Sequence, residues 1–316
     1  MRGLALLSVA VLGACGNSPG VGDDDGLLDP DAPIDEKGPS FTMESPEIEI
    51  LGSQRITYCW YFRTPNQQLM AITKWSSTMS APGARMIVYT TASERMPPGT
   101  VSAVNCGPGS GSLGSQAGWT FAAREAAAEM ALPSDDGTGR PLAMELAANQ
   151  PGFVQIFFDN SGADATSARV VVTAEALRPD TPYTATAGYA TFNGNISIPP
   201  MTSNHTQELS CGVPASAHFW AMSTHTHERA TRTRVKDGGA MVFENLSWEH
   251  PKMERWTADS FYSFASGKLT YECTWNNPTN RTITTGNNAD TDEVCMAAGY
   301  FFPATKPVFC FNESAM

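Results

Sequence analysis

The sequence predicts an all-β protein built from two tandem antiparallel β-sandwich domains that are stapled by disulfides. Runs of β-branched and aromatic residues recur along the chain, and turn-forming residues such as Pro97-Pro98-Gly99 and Asn160-Ser161-Gly162 separate them. An even set of cysteines after residue 40 adds the expected crosslinks. In the first half of the chain, the strand-like runs are residues 56–62, 86–91, 153–158 and 168–173.

A second series of strand-like segments runs from Tyr183 to Phe311. The proline-containing break at residues 178–182 separates the two series and sets the domain boundary, with one domain at 41–178 and the other at 179–316. One segment departs from the β pattern. Residues 121–132 are rich in alanine and glutamate, and we expect them to form a short surface helix.

The first residues have the features of an export signal. Met1-Arg2 is basic, residues 4–12 are apolar, and the apolar stretch is too short to span a bilayer. Leu12-Gly13-Ala14-Cys15 resembles the bacterial lipobox, in which the cysteine is lipidated and becomes the mature N-terminus. We therefore expect a signal peptide over 1–15 and an envelope lipoprotein of the outer membrane or cell surface, anchored to the membrane by acyl chains alone. The alternative is an ordinary signal peptide that is cut near Cys15.

Residues 16–40 have the composition of a disordered, acidic tether. Seven carboxylates there are opposed by Lys37 alone, and the segment carries half of the formal net charge of −12. An acidic chain without a basic stripe makes nucleic acid an unsuitable partner.

Six cysteines remain once Cys15 is set aside, two in the first domain and four in the second. An even set in an exported protein favours structural disulfides over metal ligation. Our pairing is Cys59–Cys106, Cys211–Cys310 and Cys273–Cys295, although sequence alone permits other connectivities.

The segment His225-Thr226-His227 holds two of the five histidines and ends the strand-like run 217–224. Alternate residues of a strand share one face, so the two imidazoles project together, roughly 7 Å apart along the strand. Leaning together, they can share one metal ion at about 2 Å each. The alternative is two surface histidines with no ligand.

Residues 183–310 resemble the C-terminal domain of the copper type II, ascorbate-dependent monooxygenases, the family of the peptidylglycine α-hydroxylating and dopamine β-monooxygenases. The first domain resembles the family more weakly, through residues 58–65 and 86–89. The pieces that carry the resemblance occur in order, namely 196–200, 209–211, the strand from His218 to His227, 249–251, 267–273, the Gly286-Asn287 turn and 292–295.

The resemblance implies two jelly-roll-like domains that face each other across a solvent cleft, with one copper in each domain. The C-terminal copper would be held by His225, His227 and a methionine, and would activate O2. The N-terminal copper would be held by a His-His pair and a third histidine, and would supply an electron. Imidazole suits both copper oxidation states, and a thioether favours Cu(I).

Ligands of the N-terminal copper are missing from this sequence. Ala84 and Arg85 stand where the His-His pair is expected, and Phe157 or its neighbour stands at the third position. Alanine has no ligand atom, and arginine has no lone pair to donate and a charge that repels copper. Residues 41–178 contain no histidine. We therefore expect the electron-transfer site to be lost.

The C-terminal site is half kept. Val294 stands at the position of the expected methionine, and Met296 is a candidate third ligand displaced about 7 Å along the strand. A Cys273–Cys295 bridge would hold that register. His218 is expected on the opposite strand face as a hydrogen-bonded structural residue. His205 and His250 lie near loops and could complete a site if the fold brings either close.

The sequence thus predicts an exported copper-binding lipoprotein of this family, holding one copper in the C-terminal domain and lacking the two-copper hydroxylase activity. One alternative is an active monooxygenase with a single copper and an external reductant. Another is a metal-free envelope scaffold or binding module that uses the interdomain cleft for a small molecule or a protein. No residue is assigned as catalytic. A Ser-His-Asp hydrolase is excluded because no nucleophile elbow occurs at a plausible strand–helix turn.

Overall fold

The computed structural model describes residues 38–104, 106, 117–286 and 288–315. Cys15, the signal peptide, residues 16–37 of the tether and Asn287 lie outside this range. The described residues form strands and loops without a helix, so none of them forms a helix that could span a membrane. The first strand begins at Ser40, the last residue of the expected tether.

The first half of the chain folds into a β-sandwich. One sheet has the order β6 (Val101–Ser102), β3 (Gln54–Arg63), β10 (Pro151–Asn160), β5 (Gly83–Thr91) and β7 (Ala117–Ala123). The facing strands are β1 (Ser40–Glu44), β12 (Val170–Ala176), β4 (Met70–Met79) and β9 (Leu142–Leu146), with β8 (Ala127–Ala131) also paired to β4. A short ribbon joins β2 (Ile48–Ile50) and β11 (Thr166–Ala168).

The second half forms another sandwich. One sheet contains β13 (Thr184–Phe192), β22 (Cys295–Phe302), β16 (His218–Thr226) and β19 (Glu254–Arg255), with β23 (Val308–Phe311) and β24 (Ser314–Ala315) beside β13. The other has the order β15 (Thr202–Gly212), β20 (Lys268–Asn277), β17 (Ala230–Asp237) and β18 (Ala240–Asn245). A small ribbon pairs β14 (Ser197–Ile198) with β21 (Ile283–Thr284).

The two sandwiches share a sheet across the predicted domain boundary. β13 pairs in parallel with β9, and this pairing makes one eleven-stranded sheet that runs from β1 to β19. Each sandwich has its own apolar core, and a third cluster of buried residues lies between them. Tyr61, Tyr89 and Phe153 of the first sandwich meet Phe192 and Met296 of the second in that cluster. Backbone pairing and apolar packing therefore both hold the halves together.

The helix expected over residues 121–132 is wrong. Phe121 and Ala123 end β7, and β8 follows after a short turn. β7 pairs with β5 and β8 pairs with β4, so the segment joins the two sheets of the first sandwich. Sheet pairing and burial of Phe121 and Met130 outweigh the modest helix propensity of the alanines.

Three disulfides crosslink the sandwiches, and they join the pairs expected from the sequence. Cys59 is bonded to Cys106 in the first sandwich. Cys211–Cys310 and Cys273–Cys295 lie in the second, with Cα–Cα distances of 6.1 and 6.0 Å. The bond from Cys273 connects β20 to the start of β22 and so holds β22 in place beside the end of β16.

The contact between the halves depends on a glycine. Gly188 in β13 lies against the backbone of Trp119 in β7, and a Cβ at Gly188 would overlap the Trp119 carbonyl oxygen. Backbone in a paired strand has little room to move, so we expect Gly188→Ala to lower the free energy of unfolding by about 1–3 kcal/mol. Urea unfolding measures the change. Gly212→Ala is the control, because nothing lies within 4 Å of its Cβ. Equal stability of the two variants would contradict this account of the contact.

Candidate functional site: a cleft with two histidines and two arginines

His225 and His227 lie at the end of β16, on the side that faces the first sandwich. His225 is the cross-strand partner of Met296 in β22, and Thr226 is the partner of Cys295. The two imidazole centroids are 5.8 Å apart, with the ring planes at 82°. Both rings line a cavity of about 40 Å³ together with Arg85 and Phe157 of the first sandwich. The fold therefore brings the histidine pair to the positions where the N-terminal copper ligands are missing.

A larger cavity of about 200 Å³ adjoins the first, and His225 and Arg85 line both. We call the two cavities together the cleft. The wall of the larger cavity is mostly apolar and includes Trp119, Ala122, Met253, Ala298 and Tyr300. The indole Nε1 of Trp119 donates a hydrogen bond of 3.2 Å to the Tyr300 hydroxyl, so this wall joins the two sandwiches.

Arg85 and Phe157 are cross-strand partners in β5 and β10, which explains their common place in the cleft. The guanidinium carbon of Arg85 lies 4.5 Å from the Phe157 ring centroid and 5.9 Å from that of Trp248. Among the described residues, Arg85 has no hydrogen bond or ion pair. Burial lowers its pKa and the neighbouring Arg55 lowers it further, while the charges of Asp159 and Glu249 oppose this effect. Ala84 is exposed, and its methyl side chain has no ligand atom.

Arg124 follows β7 and reaches the cleft from the first sandwich. Its Nη1 donates to the backbone carbonyls of Trp248, at 3.2 Å, and Glu249, at 2.8 Å. Its Nη2 lies 3.5 Å from Nδ1 of His225. Burial, and then the charge of Arg85, lower the pKa of Arg124 to about 10, so the side chain remains a cation at neutral pH.

His227 is buried, and its tautomer follows from its partner. Its Nδ1 lies 3.0 Å from the carbonyl oxygen of Asp292. A carbonyl only accepts, so Nδ1 carries the proton and Nε2 keeps the lone pair. Burial lowers the pKa of His227 to about 4, with smaller lowering from Arg85 and Arg229 and an opposing effect from the Asp292 hydrogen bond.

His225 has the opposite tautomer. Arginine only donates, so Nδ1 of His225 is the acceptor of the Arg124 contact and the ring proton is on Nε2. Burial lowers the pKa of His225 well below its usual value, and the charges of Arg124 and Arg85 lower it further. Both histidines are therefore neutral at neutral pH, but their free lone pairs are not equivalent.

These residues do not fit a complete copper site. Nε2 of His227 is available, whereas the lone pair of His225 faces a guanidinium and its other nitrogen is protonated. Met296 and Val294 are buried in the cluster between the sandwiches, and neither lines the cleft. Within the described residues, no three His, Cys, Asp or Glu side chains are grouped to hold a metal. Two guanidinium charges beside the pair add repulsion toward any cation.

The other three histidines lie apart from the cleft. His205 stacks on Trp275, with ring centroids 6.5 Å apart. Nδ1 of His218 is 2.8 Å from the Ser263 hydroxyl. His250 is exposed in the loop after β18. None of the three lines either cavity, so none completes the histidine pair.

Sequence reasoning missed two charged residues near the histidine pair. The sequence predicts Arg124 on a surface helix, and its place in the cleft follows only from the connection between β7 and β8, which belong to different sheets. Glu293 is fully buried and accepts hydrogen bonds from the backbone N–H of His227 and Arg229 and from Nε1 of Trp275. Burial raises the pKa of Glu293 to about 7 against the effect of these three donors. A single carboxylate thus fixes the backbone on both sides of residue 228.

The lowered pKa of His227 makes stability depend on pH. An unfolded histidine titrates near 6.5 and folded His227 near 4, so between these values only the unfolded chain takes up the proton. His227→Asn removes this titration and keeps an N–H donor for Asp292. We expect the wild type to lose on the order of 3 kcal/mol relative to the variant as the pH falls across that window.

Urea unfolding of both proteins at pH values from 4 to 7 measures this difference. Glu293, whose raised pKa acts in the opposite direction, is present in both proteins and cancels in the comparison. A difference in stability that does not change with pH would contradict the assignment of a buried, neutral His227.

Comparisons with known proteins bear mainly on the second sandwich. Residues 186–316, which include both cleft histidines, match the family model described as copper type II ascorbate-dependent monooxygenase, C-terminal domain. The curated proteins give no match.

Several solved structures resemble the chain over most of its length at low identity. N-glycanase F (PNGase F) has a TM-score of 0.41 at 10% identity, over 86% of this chain and 97% of that one. The STIV MCP has a TM-score of 0.37 at 8% identity, over 85% and 98%. The major capsid protein P2 from bacteriophage PM2 has 0.37 at 7%, over 83% and 97%. Similarity at this level says nothing about the chemistry of this chain. The family resemblance that is shown is that of its C-terminal domain to the copper monooxygenases.

Proposed function

We propose that this chain is an exported binding protein related to the copper type II monooxygenases, that it lacks their two-copper hydroxylation, and that it uses the cleft between its sandwiches to bind a ligand. The observation that carries the proposal is the presence of Arg85 and Arg124 beside His225 and His227. Guanidinium groups line the cleft at the place where the copper chemistry of the family requires metal ligands.

The first sandwich lacks the histidine ligands that would hold an electron-transfer copper. Arg85 and Phe157 line the cleft at the relevant strand positions, and their contact is a cation–π contact. No histidine precedes residue 205 in the sequence. A second copper would therefore have to be held by residues of a different kind and place.

The single copper expected at His225 and His227 should be held weakly. Binding through both imidazoles requires that His225 release Arg124 or transfer its ring proton. It also requires a cation to approach two half-buried guanidinium groups, which costs on the order of a few kcal/mol at a few Å in a partly buried site. Met296 would have to leave the packed cluster between the sandwiches to serve as the third ligand.

Export and anchoring belong to the same proposal. The lipobox-like segment supports lipidation at Cys15, and the acidic composition of residues 16–40 is that of a tether. Cys15→Ala should release the protein from the membrane fraction. Mass spectrometry of the mature N-terminus distinguishes an acylated cysteine from an ordinary cut.

Copper titration tests the site directly. Cu(I) binding should be equally weak in the wild type and in His225→Ala, because His225 does not offer its lone pair. In the double variant Arg85→Gln and Arg124→Gln, removal of two like charges should raise the copper affinity by about tenfold or more. The control is Arg169→Gln, an exposed arginine paired with Glu44.

One tightly bound copper per chain that is lost in His225→Ala would overturn the proposal. Oxygen consumption with ascorbate is measured in parallel. Ascorbate-dependent oxygen uptake that is lost in His225→Ala would favour a single-copper monooxygenase instead.

A further inference from the structure

The cleft contains two arginines that form no ion pair with a described carboxylate. Neither Arg85 nor Arg124 forms an ion pair among the described residues, although both are half-buried. Arg55, which also lies over the Phe157 ring, is paired with Asp159 and Asp290. A charge that is partly removed from water favours a partner of opposite sign, and an anion within hydrogen-bond distance supplies one.

Hydrogen-bond donors of the cleft also remain free. Arg85 offers all of its guanidinium N–H groups, because its contacts are to aromatic rings. Arg124 uses Nη1 for two carbonyls and Nη2 for a long contact with His225. A guanidinium presents its donors in a planar fork that matches the two oxygens of a carboxylate.

The apolar wall limits what such an anion can carry. The larger cavity has a volume of about 200 Å³ and is lined by the rings of Trp119 and Tyr300 and by small or flexible apolar side chains such as Ala298 and Met253. A cavity of roughly 150 Å³ can hold benzene. The space beside the arginines is therefore that of one aromatic ring, or a short aliphatic chain of similar size.

We propose that the cleft binds a small amphiphilic carboxylate, whose anionic group is held by Arg85 and Arg124 and whose apolar body lies against Trp119 and Tyr300. This inference rests on the proposed function, since it names the ligand class of the same cleft. The arginines come from the first sandwich and the Tyr300 ring from the second, so the ligand contacts both halves. Bound ligand should then stabilise the contact between the sandwiches.

Phenylacetate is the probe, since it combines a carboxylate with one ring. Its matched control is phenylacetamide, which has nearly the same shape and no charge. Isothermal titration of the full chain should give binding of phenylacetate that is at least about tenfold tighter than that of the amide. The affinity should also fall as salt is raised, because the contact is between charges.

Variants identify the residues that hold the anion. Arg85→Gln and Arg124→Gln should each weaken phenylacetate binding by about tenfold, whereas Arg169→Gln on the exposed surface should leave it unchanged. Trp119→Leu should weaken phenylacetate binding and leave sulfate binding as it is. The acid–amide comparison in the wild type needs no variant, so it decides the matter even if a substitution prevents folding.

Three results would overturn the inference. Equal binding of acid and amide would show that charge is not recognised. Sulfate binding as tightly as phenylacetate would show an anion site without the apolar part. Absence of phenylacetate binding at millimolar concentration would remove the site altogether. Each of these readouts is separate from copper uptake, so the inference can fail while the proposed loss of copper chemistry stands.

Discussion

The pairing of β16 with β22, and the packing of their outer face on the first sandwich, decide which side chains meet in the cleft. His225 lies opposite Met296, and the next pair places Thr226 opposite Cys295. The Cys273–Cys295 bond fixes the start of β22. A one-residue slip would turn Met296 away from the first sandwich, so the bond and the apolar cluster together forbid it. The methionine remains a packing residue.

Electrostatics then selects what the cleft can accept. Burial keeps both imidazoles neutral, and the two half-buried guanidinium groups add to this effect, since a proton on either ring would be a third positive charge in the same space. Neutral imidazoles are usually good metal ligands. Here the charges that add to the effect of burial on the rings also oppose a metal cation. An anion meets no such conflict, because it lowers the energy of the arginines and its binding requires no lone pair from either imidazole.

Much of the fold could be predicted from the sequence, because the patterns that indicate strands, turns and disulfides are local. Strand-like runs, turns and an even cysteine count indicate sandwiches with disulfides, and the structure has both. The histidine pair was found because alternate residues of one strand share a face. The helix prediction for residues 121–132 is wrong for the opposite reason. Its alanines give a local helical signal, whereas its strands are stabilised by β5 and β4, which are distant in sequence.

The contact between Arg124 and His225 could not be predicted for the same reason, because it depends on residues that are distant in sequence. Arg124 reaches His225 across a sequence separation of 101 residues, and nothing in the neighbouring sequence marks it. The burial of Glu293 could not be predicted either, since the three donors that bind its carboxylate come from β20 and from the turn after β16. Residue type could show that Arg85 and Phe157 do not bind copper. Only the fold shows that a second arginine joins them.

Arg124 also links the chemistry of the cleft to the shape of its rim. By bonding the carbonyls of Trp248 and Glu249, it holds the loop that contributes Pro251 and Met253 to the larger cavity. A neutral residue at position 124 would free the His225 lone pair and release that loop at the same time. The lone pair of His225 and the wall of the cavity are therefore coupled. A return to metal binding would require a new rim as well as new ligands, whereas an anion uses the rim, the arginines and the neutral histidines as they stand.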